Sequence, residues 1–201
     1  MYLSKFIIHP ENPSAKQAMR NVQDFHRNLM ACFQSSRQEA GVLYRINLSA
    51  KMPLLYVLSK IAPQNARKEI IELLESRPID SYIESIKTGN IFSFDICTIP
   101  SKKISREGKK NSARITLKPE GERIKWLQRK ADDAGFRILT VQEMECVNTY
   151  GEKKAEKNEI FLEGYHYQGQ LIVEEEEKFR RAYCDGIGPD KAYGYGMLLL
   201  A

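Results

Sequence analysis

Three histidines are the side chains of this sequence best suited to exchange protons near neutral pH, because imidazole titrates there. His9 ends an apolar stretch directly before Pro10, and His166 sits between Tyr165 and Tyr167 in a β-rich run. Both positions suit a structural role. His26 follows Phe25 at the margin of an apolar helical stripe, with Arg27 beside it. On residue type and position alone it reads as a hydrogen-bonded boundary histidine ahead of a proton carrier. Arg27 and Arg37 have the charge to stabilise a developing anion, and Arg27 reads equally well as a solvated helix residue.

A second candidate is the segment Gly186-Ile187-Gly188-Pro189-Asp190-Lys191-Ala192-Tyr193-Gly194-Tyr195-Gly196, which runs into the apolar end Met197 to Ala201. Glycine accepts positive φ and close backbone approach, so such a loop can turn its amide N–H groups toward an anion. The order is helix, loop, strand. A P-loop or dinucleotide fingerprint requires strand, loop, helix, so neither is present. A plain tight connection remains open beside a phosphate-contacting loop.

Charge supplies the third signal. Residues 101–130 hold eleven Lys/Arg against three Asp/Glu, a net of +8, whereas the whole chain carries +5. The other 171 residues are therefore slightly acidic, and one basic block on such a body points to a polyanion docking at one place. A solvated lysine-rich loop is the plainer alternative. Composition (42% hydrophobic, 28% charged) is that of a globular chain and excludes a disordered one. Cys32, Cys97, Cys146 and Cys184 are far apart, which argues against a zinc ribbon or disulfide scaffold and for reduced thiols. Carboxylate, His and Cys residues form no clustered ligand set, so no metal or cofactor is expected. Without an apolar run of membrane length or a signal peptide (Lys5 interrupts the first apolar stretch), a cytoplasmic location and no membrane partner are expected.

The elements that must position these residues follow from periodicity. Tyr2 to Ile8 alternates as a strand, and Asn12-Pro13 supplies an N-cap and N1 proline for a helix expected to run to about Phe33. Residues 42–48 and 54–61 read as strands joined by a turn around Lys51. Residues 66–75 read as an amphipathic helix and 79–86 as a fourth strand, giving β-α-β-β-α-β, the ferredoxin-like unit. After a boundary at Thr88-Gly89-Asn90 the order repeats: strand 91–99, helix 122–134, long strands 137–147 and 159–173, helix 174–183 and strand 195–200. The expected fold class is α+β, with two tandem ferredoxin-like (RRM-like) domains. Residues 1–88 form the first and 91–201 the second, the latter with a basic insertion at 100–121 and the glycine-rich loop at 186–196. The insertion reads as a flexible hairpin or loop around Gly108. The helical spacing of Trp126 with Ile124 and Leu127 makes it a core residue rather than a base-stacking platform.

The motif G-I-G-P-x-K-A-x-G-x-G with its apolar end resembles the C-terminal signature of the RAMP-type CRISPR repeat-processing endoribonucleases. The opening Met1-Tyr2-Leu3-Ser4-Lys5, the Phe25-His26-Arg27 helix and Ile124-Lys125-Trp126-Leu127-Gln128-Arg129-Lys130 resemble the CasE (Cse3) branch of type I-E systems. The resemblance implies tandem ferredoxin-like domains and a metal-independent endoribonuclease that cuts CRISPR precursor RNA at a repeat hairpin. The 2′-OH attacks the adjacent phosphate, leaving a 2′,3′-cyclic phosphate (or 3′-phosphate) and a 5′-OH. It implies that the product hairpin is retained, so the partners are repeat RNA, mature crRNA and other subunits of the surveillance complex. It makes His26 the catalytic residue, since a histidine in this helix fills that role in the family. Some members carry a tyrosine three residues earlier; Gln23 stands there in this chain, and the second proton-transfer group is unidentified. RNA contacts are expected from Lys102, Lys103, Arg106, Lys109, Lys110 and Arg114 of the insertion and from Gly188, Lys191 and Gly194 of the loop. A non-cleaving RNA-hairpin-binding subunit is the alternative, and a small-molecule nucleotide enzyme is disfavoured by the loop order.

Overall fold

The computed structural model describes residues 1–47, 52–64, 67–104, 113–153 and 158–201. Two four-stranded antiparallel sheets dominate it. In β1 (Tyr2–Ile8), Ser4, Phe6 and Ile8 are buried, while Leu3, Lys5 and Ile7 are half-buried on the opposite face. β1 pairs with β3 (Leu54–Ser59) on one side and β4 (Ile71–Pro78) on the other, and β2 (Leu43–Asn47) lies outside β3. The order β2-β3-β1-β4 is the 4-1-3-2 order of a ferredoxin-like sheet.

The expected helix over 13–33 is two helices, α1 (Pro13–Arg20) and α2 (Val22–Met30). Asn12 caps the first as expected. Asn21 breaks the run: its backbone is extended (φ −129°, ψ 106°), and its side-chain oxygen accepts from the Gln23 amide to start α2. Asparagine offers the backbone this local alternative to a helical bond. A short helix α3 (Arg37–Ala40) follows, opened by a capping box between Ser36 and Glu39.

The end of the first unit corrects two expectations. Residues 71–78 are strand β4, not the second half of a helix, and residues 80–85 are helix α4 (Asp80–Ser85), not a strand. The apolar spacing at Ile70, Ile71, Leu73 and Leu74 suits a helix, but β1 has an open edge here, and pairing along it outweighs propensity. Ile79, Ile83 and Ile86 are all buried, an i, i+4, i+7 helical stripe; Ile79 and Ile83 would also share one face of a strand, but Ile86 would not. The turn expected around Lys51 and the start of the expected helix at Ala66 lie outside the described residues.

The second unit keeps the full βαββαβ order. β5 (Ile91–Thr98), α5 (Glu120–Asp133), β8 (Phe136–Lys153), β9 (Asn158–Val173), α6 (Glu176–Asp185) and β10 (Leu198–Leu200) build a sheet ordered β10-β5-β9-β8, again 4-1-3-2. The basic insertion is an antiparallel hairpin of β6 (Ser101–Ile104) and β7 (Ala113–Thr116), with Lys103 opposite Arg114. Arg106, Lys109 and Lys110 lie outside the described residues. β8 extends beyond the expected end at 147, and β10 is shorter than the expected strand over 195–200 because the glycine loop continues to its edge.

One core gathers Phe6, Ile8, Phe25, Leu29 and Leu55 between the first sheet and its helices. A larger one gathers Phe94, Trp126, Leu127, Phe136 and Phe179, and Leu43, Leu58 and Ile83 of the first unit join it. Trp126 is 5% exposed, a core residue as its spacing indicates. Between the units, Arg45 of β2 faces Asp95 of β5 at 3.2 Å, and Asp95 accepts from His166 at 2.6 Å and from Gln168 at 2.9 Å.

Candidate active site

Helix α2 presents Val22, Phe25 and Leu29 to the core, which leaves His26 at the boundary, half-buried. Its Nδ1 is shielded from solvent and has no hydrogen-bond partner among the described residues. Burial holds the imidazole below its ordinary pKa of 6.5, and the positive charge of Arg37 adds to the effect. Arg37 enters from the first turn of α3, with its Nε also buried and unpartnered among the described residues. Arg27 points away: it is exposed and pairs with Asp24 at 3.2 Å. Of the two arginines with the charge to stabilise a phosphate, Arg37 is the one beside the histidine.

The glycine loop closes over this spot. A single 3₁₀ turn, Lys191–Tyr193, is bracketed by Asp190 and Gly194, both in left-handed conformations (φ 56° and 87°). A side chain at Gly194 would meet the Tyr44 ring at 2.9 Å, so the position requires glycine on both counts. The turn delivers Tyr193 onto α2, where its ring meets that of His26 edge-on with centroids 6.4 Å apart. Gln23, one helical turn before His26, donates from Nε2 to the Tyr193 hydroxyl at 2.5 Å. Tyr44 lies beneath, packed against Phe25 (5.6 Å), and burial pushes its phenol pKa well up. Phe25, Tyr44, Arg45, Tyr193, Gly194 and Tyr195 contribute to the wall of a cavity of about 420 Å³.

Lys191 does not reach into this cavity. Its ammonium donates to the Asp185 carbonyl at 2.7 Å, closing the C-terminal end of α6, and burial lowers its pKa. Its observed contact therefore shapes the loop. Gly188 (φ 89°) would clash with Thr98 and Trp126 if it carried a side chain, so the loop lies flat on β5 and α5.

A larger hollow of about 820 Å³ lies on the other side of the loop. Lys102, Lys103 and Arg114 of the hairpin line it, with Lys125, Arg129 and Lys130 of α5 and Gly188-Pro189 of the loop. Among the described residues, Glu122 is the one acid in its lining. Arg114 faces Asp190 at 3.7 Å, which ties the hairpin to the loop. The described part of the basic insertion and the glycine loop thus share one wall, and further along the same loop Tyr193 touches His26. The α5 cations were not among the expected contacts, although Lys125 and Arg129 are spaced i, i+4 and share a helix face. The remaining histidines are tied to carboxylates: His9 to Glu11 and Glu72 at 2.9 and 3.1 Å, and His166 to Asp95. No group of three or more His, Cys, Asp or Glu side chains gathers as a metal site among the described residues.

Fold and site together define a tandem ferredoxin-like protein with a cationic hollow joined by a glycine loop to a half-buried histidine. The chain belongs to the family described as CRISPR associated protein, whose model matches residues 1–201. It is 24% identical over 214 residues to the CRISPR-associated endoribonuclease Cse3 of Thermus thermophilus, covering 100% of both chains. It is also 24% identical over 211 residues to the CRISPR system Cascade subunit CasE of Escherichia coli, covering 100% of this chain and 99% of that one. A solved structure of Thermus thermophilus Cse3 bound to an RNA representing a pre-cleavage complex matches with a TM-score of 0.85 at 22% identity, over 100% of this chain and 98% of that one. These full-length matches bear out the resemblance to the CasE (Cse3) branch.

Proposed function

We propose that this chain is an endoribonuclease that cuts CRISPR precursor RNA at the repeat hairpin, by attack of the RNA's own 2′-OH, and then keeps the hairpin. The observation that carries the reading is the half-buried His26, whose Nδ1 has no hydrogen-bond partner among the described residues, at one end of the glycine loop whose other end walls a cationic hollow. The naming of the Thermus thermophilus relative as an endoribonuclease and of the Escherichia coli relative as a Cascade subunit supports it.

In this reaction the nucleophile belongs to the substrate. The protein removes a proton from the 2′-oxygen, stabilises charge on the phosphorane and returns a proton to the departing 5′-oxygen. His26, with its lowered pKa, is neutral at working pH and acts as the base. Arg37 supplies positive charge beside it. These are organic groups throughout, so the reaction is independent of metal and gives a 2′,3′-cyclic phosphate (or its 3′-phosphate) and a 5′-OH. Lys102, Lys103, Arg106, Lys109, Lys110 and Arg114 grip the phosphates of the RNA stem, and Lys125 and Arg129 extend that surface. Gly188, Lys191 and Gly194 hold the loop that sets the stem against α2. Because these contacts are to the stem, cutting at its edge leaves them intact. The product hairpin is retained and enters a surveillance complex.

The test is His26→Ala. Single-turnover cleavage of the cognate repeat RNA is expected to fall by about 10²–10⁴-fold, the range for a positioned acid–base group, while hairpin binding persists. Near-wild-type cleavage by the variant would remove His26 from the mechanism. Binding without any cleavage by the wild-type chain would make the protein a structural subunit.

A further inference from the structure

We infer that Tyr193 is the second proton-transfer group of this site, its phenol protonating the departing 5′-oxygen while His26 takes the proton of the 2′-OH. The inference deepens the endoribonuclease reading and rests on it. Two proton movements are required, and His26 performs one of them at a time. Three phenols line the cavity beside α2, those of Tyr44, Tyr193 and Tyr195. Tyr44 is sealed at 1% exposure, and the Tyr195 hydroxyl is bonded to the Val147 carbonyl (2.9 Å) and to Thr149 (2.7 Å). Tyr193 alone of these three is half-buried at the cavity wall, with its ring against the imidazole.

Its hydrogen bond has the right polarity. Gln23 gives its amide proton to the Tyr193 oxygen, so the phenol's own proton is not spent on that interaction. The same bond fixes the hydroxyl over the face of α2 that carries His26, because side chains three residues apart on a helix are neighbours. The left-handed residues on both sides of the 3₁₀ turn hold the ring there. Gln23, unable to carry a proton itself, positions a residue that can.

The step balances. The 2′-O–H bond breaks and its proton goes to His26; the 2′-oxygen bonds phosphorus; the bond from phosphorus to the 5′-oxygen breaks; and that oxygen takes the Tyr193 proton. The resulting imidazolium and phenolate return to their starting forms by one net proton transfer between them through solvent.

The experiment compares repeat RNA with an RNA in which the scissile 5′-oxygen is replaced by sulfur, a leaving group that departs without protonation. Tyr193→Phe keeps the ring and removes the proton. On ordinary RNA its single-turnover rate is expected to fall by about 10²-fold or more, with hairpin affinity unchanged. On the 5′-thio RNA the deficit should shrink to a few-fold, whereas His26→Ala should stay slow on both. Gln23→Leu should show a smaller loss with the same rescue by sulfur. An undiminished rate for Tyr193→Phe, or an equal loss on both substrates, overturns the inference and leaves Tyr193 a packing residue. An active His26→Ala protein beside a sulfur-rescued Tyr193→Phe would overturn the base assignment and uphold this one.

Discussion

In the proposed reaction His26 stands where two demands meet, burial that favours a neutral ring and an anionic substrate that favours a charged one. In the free protein burial and Arg37 prevail, and the pKa lies below 6.5. A group whose pKa is lowered loses its proton at lower pH, so the base form predominates at neutrality and is lost as pH falls through the lowered pKa. The acid limb of the single-turnover cleavage rate at subsaturating protein, which reports groups of the free protein and free RNA, is therefore expected to have its midpoint below 6.5. A midpoint at or above that value, or an unchanged limb in His26→Ala, would contradict the burial account. Residue types alone favour a bland boundary role for this histidine; the family resemblance selects it. Tyr193 is not legible in the sequence at all, because its partner Gln23 lies 170 residues away and no local pattern encodes that pairing. Lys191 is legible as a motif residue, but its hydrogen bond to the end of α6 depends on how the chain turns after Asp185.

Among the elements, those of the second unit are readable almost in full, since its strands and helices are long and strongly periodic. The first unit misleads at two places for physical reasons. Asn21 interrupts an apolar stripe that continues in register across the break, so Ala18, Val22 and Phe25 look like one helix. The pair β4 and α4 reads in the reverse order, because a sheet edge recruits a segment of helical pattern and Ile79 and Ile83 have the even spacing of one strand face. The hairpin of β6 and β7 is legible as a basic projection, and its cations predict a salt effect. Replacing Lys102, Lys103, Lys109 and Lys110 with Ala should weaken RNA binding and reduce its log–log salt slope by about one for each phosphate that is no longer neutralised. Cleavage at saturating protein should fall much less. Unchanged affinity and slope would make the hairpin a solvated loop and shift RNA binding to Lys125 and Arg129 on α5.

Across the whole molecule, two sheets of one topology do different work. The first carries α2 and its histidine, and the second carries the basic hairpin, α5 and the glycine loop. The loop joins them, lying on Trp126 at Gly188 and on Tyr44 at Gly194. The half-buried Arg45–Asp95 pair, with His166 on the same carboxylate, also links the sheets. Charge is divided in the same way, with a net of +8 within residues 101–130 of a chain that carries +5. In the proposed reaction this assembly lets RNA cut itself with proton transfer supplied by side chains. The most direct measurement is end-labelled cleavage of the cognate repeat RNA in excess EDTA, comparing the all-ribose strand with one carrying a single 2′-deoxy substitution at the scissile nucleotide. Full cleavage of the ribose strand with a 2′,3′-cyclic phosphate (or its 3′-phosphate) end is expected, and binding without cleavage of the deoxy strand. Cleavage of the deoxy strand, or loss of all cleavage in EDTA, would contradict that reaction.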